Sequence, residues 1–182
     1  GIDDVRVVET QGFLSDHYNP MQKILALSPA VYHGTDAAAG VAAHEVGHAI
    51  QHARGYALMW FRSLIVPVAN IGSQLGPLII IIGIFMMSFV HVFGQNLALI
   101  GVILFAATTV FTLVTVPVEF EASARAKVAL QQLNITTGAE EDAAVRSVLT
   151  AAGLTYVAAA FASILQLLYW AYRAGLLGNR RN

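Results

Sequence analysis

The feature that most constrains this chain is a run of 55 residues, Leu64 to Val118, without a single Asp, Glu, Lys or Arg. A helix that spans a membrane needs about 20 mostly apolar residues, so this run is far longer than one crossing requires. As one helix it would measure roughly 80 Å, whereas the hydrocarbon core of a bilayer is about 30 Å thick. The run therefore predicts two membrane crossings joined by a turn.

The composition agrees with a membrane protein and excludes several classes of function. The chain is 57% hydrophobic and only 12% charged, whereas soluble domains carry about 25% charged residues. Its net charge is −1 and its basic residues are scattered, so no basic patch suggests nucleic acid as a partner. There is no cysteine, which excludes disulfide frameworks, Cys-ligated zinc, iron–sulfur clusters and thiol catalysis.

Hydropathy and turn residues place three crossings in the chain. We expect the first within Leu64 to Phe93, with a kink at Gly76-Pro77, and the second at Leu97 to Val118. Gly94-Gln95-Asn96 is the expected turn between them. A third crossing is expected at Leu154 to Tyr172.

Outside the crossings the sequence predicts short elements. Val5 to Val8 and Lys23 to Leu27 have strand character and flank a polar, turn-rich segment from Ser15 to Pro20, a pattern typical of a hairpin. After the second crossing we expect a helix from Glu119 to Leu133 and then an amphipathic helix from Ala139 to Ala152. The fold class is therefore mainly α, with about three transmembrane helices and a small N-terminal β element.

One further helix precedes the first crossing. Thr35-Asp36 offers an N-cap, strong helix formers follow from Ala37 to Arg54, and Gly55 is expected to end the helix. Its apolar part is too short to cross a bilayer. We therefore place this helix at the membrane face.

This helix carries the residues with the clearest chemical signature. His44-Glu45-Val46-Gly47-His48 has the form His-Glu-x-x-His, which puts both imidazoles on one helix face, one turn apart, where they can share a metal ion. Glu45 points beside them. A catalytic zinc ion typically has three protein ligands and leaves a fourth position to water, so a third ligand is expected elsewhere in the chain.

Topology narrows the search for that ligand. Two crossings return the chain to the face it left, so the first charged residues after the run, Glu119 and Glu121, lie on the same side as His44 and His48. A carboxylate at the end of a membrane helix is costly unless it is paired, and zinc would compensate that cost. We favour Glu119 and keep Glu121 as the alternative ligand, because the two side chains point about 200° apart on a helix. Ser123, one turn beyond Glu119, is expected to support the ligands.

Three segments carry a resemblance to a known family. Val41 to Gln51, Leu14 to Pro20 and Glu119 to Ser123 together resemble the YugP-like membrane-bound neutral zinc metallopeptidases of bacteria. The resemblance covers most of the chain. The sequence departs from the expected pattern at Glu121, where the family carries Asp, and at Ser123, where larger membrane-embedded zinc proteases carry Asp. Members usually begin with a membrane helix that this sequence does not show, so we expect a truncated or processed form.

The resemblance implies a gluzincin-like site with one zinc ion per chain. By it, His44, His48 and Glu119 are the zinc ligands and Glu45 is the catalytic base. It also implies endopeptidase activity on a peptide or protein substrate and residence in the bacterial inner membrane as a multi-pass protein. Membrane proteins and soluble peptides both stay open as substrates.

We therefore predict a membrane-bound zinc endopeptidase. In its mechanism Glu45 takes a proton from a zinc-activated water, which attacks the peptide carbonyl, and then passes the proton to the leaving amine. His17 or Tyr18 is the candidate donor to the oxyanion, if the upstream loop folds over the site. The strand Lys23 to Leu27 is a candidate edge for binding an extended peptide.

Two other interpretations stay open. The chain is alternatively an intramembrane site-2-type protease, although that class usually takes a ligand from an Asp on a later membrane helix, and no Asp occurs between Asp36 and Asp142. It is otherwise a non-enzymatic membrane protein that moves a solute or holds structural zinc. Structural zinc would close its fourth position with a protein ligand, for which His52, His17 or Glu121 are the candidates.

We expect a single membrane-embedded domain over residues 1–182. Its parts are strands and active-site helix (1–62), transmembrane hairpin (63–118), third-ligand and amphipathic helices (119–152), third transmembrane helix (153–173) and basic tail (174–182). The flanks on the catalytic side carry five basic residues against three beyond the third crossing, which favours a cytoplasmic site. They are Arg54, Arg62, Arg125, Lys127 and Arg146 against Arg173, Arg180 and Arg181.

Overall fold

The computed structural model describes residues 2–34 and 36–177. Its elements in chain order are β1 (Arg6–Glu9), β2 (His17–Asn19), β3 (Ile24–Leu27), α1 (Pro29–Tyr32), α2 (Asp36–Ala53), α3 (Ala57–Met86), α4 (His91–Gln132) and α5 (Ala139–Arg173). The chain is mainly helical with a small N-terminal sheet, which confirms the predicted fold class. The expected helix cap at Thr35 and the last five residues of the basic tail lie outside the described residues.

The helices α3, α4 and α5 are each long and apolar enough to cross a membrane. Three such helices were expected, and this number is confirmed by length and composition. The α3 helix runs through Pro67 and Pro77 as one element, so the residue expected to kink the first crossing lies inside it. Prolines are tolerated in membrane helices because neighbouring groups satisfy the backbone that they free.

The turn between the first two crossings was placed too late in the sequence. The structure turns at residues 87–90, and Gly94 lies in the first turn of α4. A Cβ atom on Gly94 would lie 2.3 Å from the backbone nitrogen of Met87. This glycine therefore permits the two backbones to approach closely beside the turn. Sequence alone cannot distinguish that role from the role of a turn residue.

Two predicted helix boundaries are also absent from the described chain. The second crossing and the helix that carries Glu119 form the single helix α4, and the amphipathic helix and the third crossing form the single helix α5. The change from apolar to charged residues at Glu119 alters the surroundings of the helix but not its backbone preference. Gly153, at the expected break in α5, instead makes room for the ring of Phe120, whose atoms lie 3.1–3.4 Å from the position of a Cβ.

The small sheet has the order β1-β3-β2. The expected hairpin is wrong, because β1 and β3 pair in parallel, with Arg6 opposite Ile24. The segment between them, read as a turn, contributes β2, which pairs antiparallel to β3 with His17 opposite Ala26. Since β3 is the central strand, its two edges are occupied, and the expected peptide-binding edge at Lys23 to Leu27 is also wrong. The free edges belong to β1 and β2.

The helix α2 agrees with its predicted bounds to within one residue at each end. It ends before Gly55, which adopts a left-handed conformation with φ +63°, as helix-terminating glycines commonly do.

The described chain divides into two compact units. The first comprises Gly1–Trp60 and Val116–Tyr156 and holds the sheet and α2. Its apolar core joins side chains of α2, α4 and α5. They are Ala43, Ala126, Leu130, Val145 and Leu149.

The second unit comprises Phe61–Thr115 and Val157–Asn182. Its packing depends on small residues, since a Cβ on Gly83 would lie 2.4 Å from the backbone nitrogen of Ala98. The hydroxyl of Ser163 donates to that of Thr109 over 2.9 Å inside this unit. Close approach of small residues and hydroxyl pairs of this kind are typical of helix association in membranes.

Candidate metal centre

The α2 helix brings His44, Glu45 and His48 to the site by packing very closely against α4. The contact is made at Gly47, where a Cβ atom would lie only 2.3 Å from the carbonyl oxygen of Ala122. Any larger residue at this position would push the helices apart. The spacing of the two histidines places them on one face of α2, with ring centroids 4.8 Å apart.

Three side chains meet at this face. His44, His48 and Glu119 each offer one donor atom, and these atoms all lie within 4.8 Å of one another. Oε2 of Glu119 lies 3.0 Å from Nε2 of His44 and 3.4 Å from Nε2 of His48. Glu119 is only 2% exposed. The structure thus brings together the three residues that the sequence analysis named as ligands.

The donor set fits zinc. A tetrahedral zinc ion with nitrogen and oxygen ligands at about 2.0–2.2 Å keeps neighbouring donors about 3.3–3.5 Å apart. The separations of 3.0 and 3.4 Å from Glu119 to the histidines are close to that value, and the three donor atoms all lie within 4.8 Å of one another. Two imidazoles and one carboxylate are also a common protein ligand set for catalytic zinc. These three residues would hold the ion.

The ring nitrogens that face away from Glu119 have partners of their own. Nδ1 of His44 lies 3.0 Å from the hydroxyl oxygen of Ser123, so the supporting contact expected of Ser123 is present. Nδ1 of His48 donates to Oε1 of Gln51 over 2.9 Å. Such partners fix the tautomer and the orientation of a ligating imidazole.

Glu45 is buried beside the histidines, with 8% of its surface exposed. Burial is the largest influence and raises the pKa of its carboxyl group, and the charge of Glu119 acts in the same direction. The neighbouring His48 and His44, together with a hydrogen bond from the backbone N–H of Tyr18, oppose this rise. A raised pKa makes this carboxylate a stronger proton acceptor than an ordinary glutamate.

The pKa of His48 is also displaced. Burial alone would lower it, because an apolar environment disfavours the charged imidazole. The hydrogen bond to Glu119 and the negative charges of Glu119 and Glu45 outweigh burial and raise the pKa of His48 overall.

The structure separates the two residues suggested as oxyanion donors. Tyr18 lies on β2, where its backbone meets Glu45 and its hydroxyl lies 2.9 Å from Nδ1 of His52. The ring of His52 packs in turn against Trp60, with centroids 5.1 Å apart. His17 is exposed and donates from Nδ1 to the backbone carbonyl of Ser15 over 2.7 Å. Tyr18 is thus the one of the two that contacts Glu45.

Glu121, the alternative ligand, lies in a different set of contacts. Its carboxylate accepts hydrogen bonds from Nε2 of Gln51 and from Nε of Arg125, over 2.6 and 2.5 Å. Gln51 is fully buried, and the sequence analysis assigned it no role. Its position three residues beyond His48, on the buried side of α2, is the signal that could have identified it.

Comparisons with known proteins identify a family for this chain. Residues 1–175 match the profile of a family described as "Putative neutral zinc metallopeptidase". The chain is 43% identical over 169 residues to the "Putative membrane protease YugP" of Bacillus subtilis (strain 168), an alignment that covers 92% of this chain and 72% of that protein. No solved structure matches significantly. Because the family match extends over nearly the whole sequence and confirms the resemblance seen in its motifs, the chain belongs to this family of neutral zinc metallopeptidases.

Proposed function

We propose that this chain is a membrane-bound endopeptidase that uses one zinc ion held by His44, His48 and Glu119. The observation that carries the proposal is the convergence of these three donors from α2 and α4 to within 4.8 Å. The donor cluster found among the described residues has three members. Catalytic zinc typically takes three protein ligands, so a fourth position would be left for water.

Glu45 is proposed as the general base. When bound, zinc would polarise a carbonyl oxygen as a Lewis acid and lower the pKa of a bound water to about 7. Glu45 accepts the proton of the attacking water and returns it to the leaving amine, a task suited to its raised pKa. The hydrogen bond from the backbone N–H of Tyr18 holds the carboxylate in place for both transfers.

The substrate backbone is proposed to pair with the free edge of β2. The sheet order leaves β2 at an edge, and the contact of the Tyr18 backbone with Glu45 places that edge beside the proposed base. Because Glu45 accepts the N–H of Tyr18, the carbonyl of Tyr18 is proposed to accept a substrate N–H at this edge. The backbone N–H groups of an added strand alternate in direction.

Backbone methylation of a cleavable peptide tests this pairing. Methylating an amide nitrogen that faces β2 should raise KM by about 2–13-fold, the equivalent of one lost hydrogen bond of about 0.5–1.5 kcal/mol. Methylating the neighbouring amide, which faces away, is the matched control. Equal KM values for all methylated peptides would contradict pairing at β2.

The Glu45→Gln substitution tests the catalytic proposal. It keeps the ligands and removes the base, so hydrolysis of an unfolded protein in detergent should fall by about 10²–10⁴-fold. Zinc content should stay at one ion per chain. Glu140→Gln, at an exposed position of α5, is the control and should keep full activity. A Glu45→Gln protein that cleaves as fast as the parent would refute the role of Glu45.

A further inference from the structure

We propose that Gln51 is a positioning residue for the metal ligand His48 and that Glu121 and Arg125 together hold Gln51 in place. The proposal rests on the metal site described above and adds to it a chain of four side chains that begins at Arg125 and ends at His48. None of the first three side chains is itself a proposed ligand.

The orientation of the Gln51 amide is determined by its partners. Its Nε2 donates to the backbone carbonyl of Val118 over 2.8 Å and to Oε2 of Glu121 over 2.6 Å. Both partners are oxygen atoms that only accept, so the NH₂ group of the amide must face them. Oε1 is then left to face Nδ1 of His48, at 2.9 Å.

This orientation selects one tautomer of His48. The amide oxygen can only accept, so Nδ1 of His48 carries the proton and donates it. In the neutral imidazole Nε2 of His48 then carries no proton, and this is the atom that lies 3.4 Å from Oε2 of Glu119. A neutral imidazole with its free nitrogen toward the ion is the form that binds zinc.

Glu121 and Arg125 complete the chain from the side of α4. They lie four residues apart on one helix face and form an ion pair, with side chains 28% and 20% exposed. Since Gln51 is fully buried, an unpaired NH₂ group there would be costly. The carboxylate of Glu121 removes that cost, and Arg125 holds the carboxylate toward α2.

The proposal accounts for the two carboxylates that follow the uncharged run. Glu119 and Glu121 point in opposite directions from α4, and the structure uses both. Glu119 reaches the nitrogen of His48 that faces the metal site, whereas Glu121 reaches the other nitrogen through Gln51. One short segment of α4 thus provides a ligand and the support for a second ligand.

The test measures zinc affinity rather than proteolysis, on the full chain in detergent, by competition with a chelating dye. Gln51→Ala should weaken zinc binding by about 10–100-fold, the usual cost of losing a partner of a ligating histidine. Glu121→Gln, which keeps a hydrogen-bonding oxygen but loses the charge that Arg125 pairs with, should weaken it by less. The control Gln132→Ala changes an exposed glutamine of α4 and should bind zinc as the parent does.

A second variant tests whether His48 needs Gln51 held by Glu121 and Arg125, or only an acceptor atom beside its Nδ1. Gln51→Glu keeps an oxygen near Nδ1 but has no NH₂ group that can donate to both Val118 and Glu121, so it should not restore the affinity lost in Gln51→Ala. Restored affinity would overturn the part assigned to Glu121 and Arg125.

Two further measurements distinguish positioning from a general loss of stability. The visible spectrum of the cobalt-substituted protein reports ligand geometry, and it should change in Gln51→Ala but not in Gln132→Ala. If Gln51→Ala instead lowered the melting temperature of the metal-free protein while affinity and spectrum stayed at parental values, the positioning role would be refuted. If the parent protein itself did not bind zinc, the proposed function would be refuted. That outcome is distinguishable from a failure of the positioning role, which is measured relative to a parent that binds zinc.

Discussion

Glu119 shows how a single side chain depends on its neighbours. A lone buried carboxylate costs several kcal/mol because it loses its hydration, and Glu119 has only 2% of its surface exposed. The nitrogen atoms of His44 and His48 lie within 3.4 Å of its carboxylate. A residue of this type is stable at this position only as part of a charged or metal-binding group.

Substitutions of the two neighbouring carboxylates should therefore differ in their effect on zinc affinity. Glu119→Ala removes a proposed ligand and should weaken zinc binding by more than the 10–100-fold typical of an outer partner. Glu121→Gln should weaken zinc binding by less than Gln51→Ala does. Chelator competition on both purified variants measures the order, and the reverse order would identify Glu121 as the ligand.

At the scale of elements, the site depends on the close approach of α2 and α4. The ligands on α2 can meet Glu119 on α4 only because Gly47 has no side chain at the contact with Ala122. Gly40, seven residues earlier on the same helix, is different, since a Cβ there would lie at an ordinary contact distance of 3.4 Å from Val145.

These two glycines form a matched pair of substitutions. Gly47→Ala should destabilise the protein by about 1–3 kcal/mol, as overpacking commonly does, and should weaken zinc binding because the helices separate. Gly40→Ala should leave zinc binding unchanged and stabilise α2 by up to about 1 kcal/mol, because alanine favours helix. The free energies of unfolding of both variants, measured in detergent, check this difference. Equal values would show that α2 and α4 can separate without destabilising the protein.

At the scale of the whole molecule, three helices are long and apolar enough to cross a membrane. The number of crossings determines which loops share a side, and the basic residues determine the orientation. We propose that the metal site faces the cytoplasm of a bacterial cell and that the turn at residues 87–90 faces the other side. We also propose the lipid bilayer and a peptide or protein substrate as the partners of this chain.

The absence of cysteine from the sequence makes this orientation simple to test. Ser88→Cys and Glu140→Cys each introduce one thiol at an exposed position. In intact bacterial cells whose outer membrane has been opened, a membrane-impermeant maleimide should label the Ser88→Cys protein and spare the Glu140→Cys protein until the inner membrane is disrupted. The opposite labelling would invert the orientation.

Much of this structure follows from local properties of the sequence. Hydropathy is a sum over neighbouring residues, so it predicted three long apolar helices without knowledge of their packing. The spacing of His44 and His48 is a property of one helix, and the number of crossings was enough to bring Glu119 to their side. Family resemblance added the expectation of zinc and of Glu45 as base.

Other features depended on contacts between distant parts of the chain. The parallel pairing of β1 with β3 requires a partner that strand propensity does not specify, and the hairpin expectation was therefore wrong. Gly94 and Gly153 are packing positions rather than breaks, which only their neighbours in space reveal. Sequence alone thus determined which segments form helices and which residues could bind a metal, because periodicity and hydropathy act locally. Tertiary structure decided the strand order and the contacts of Gln51 and Glu121, because hydrogen-bond partners from distant segments are selected by the folded backbone.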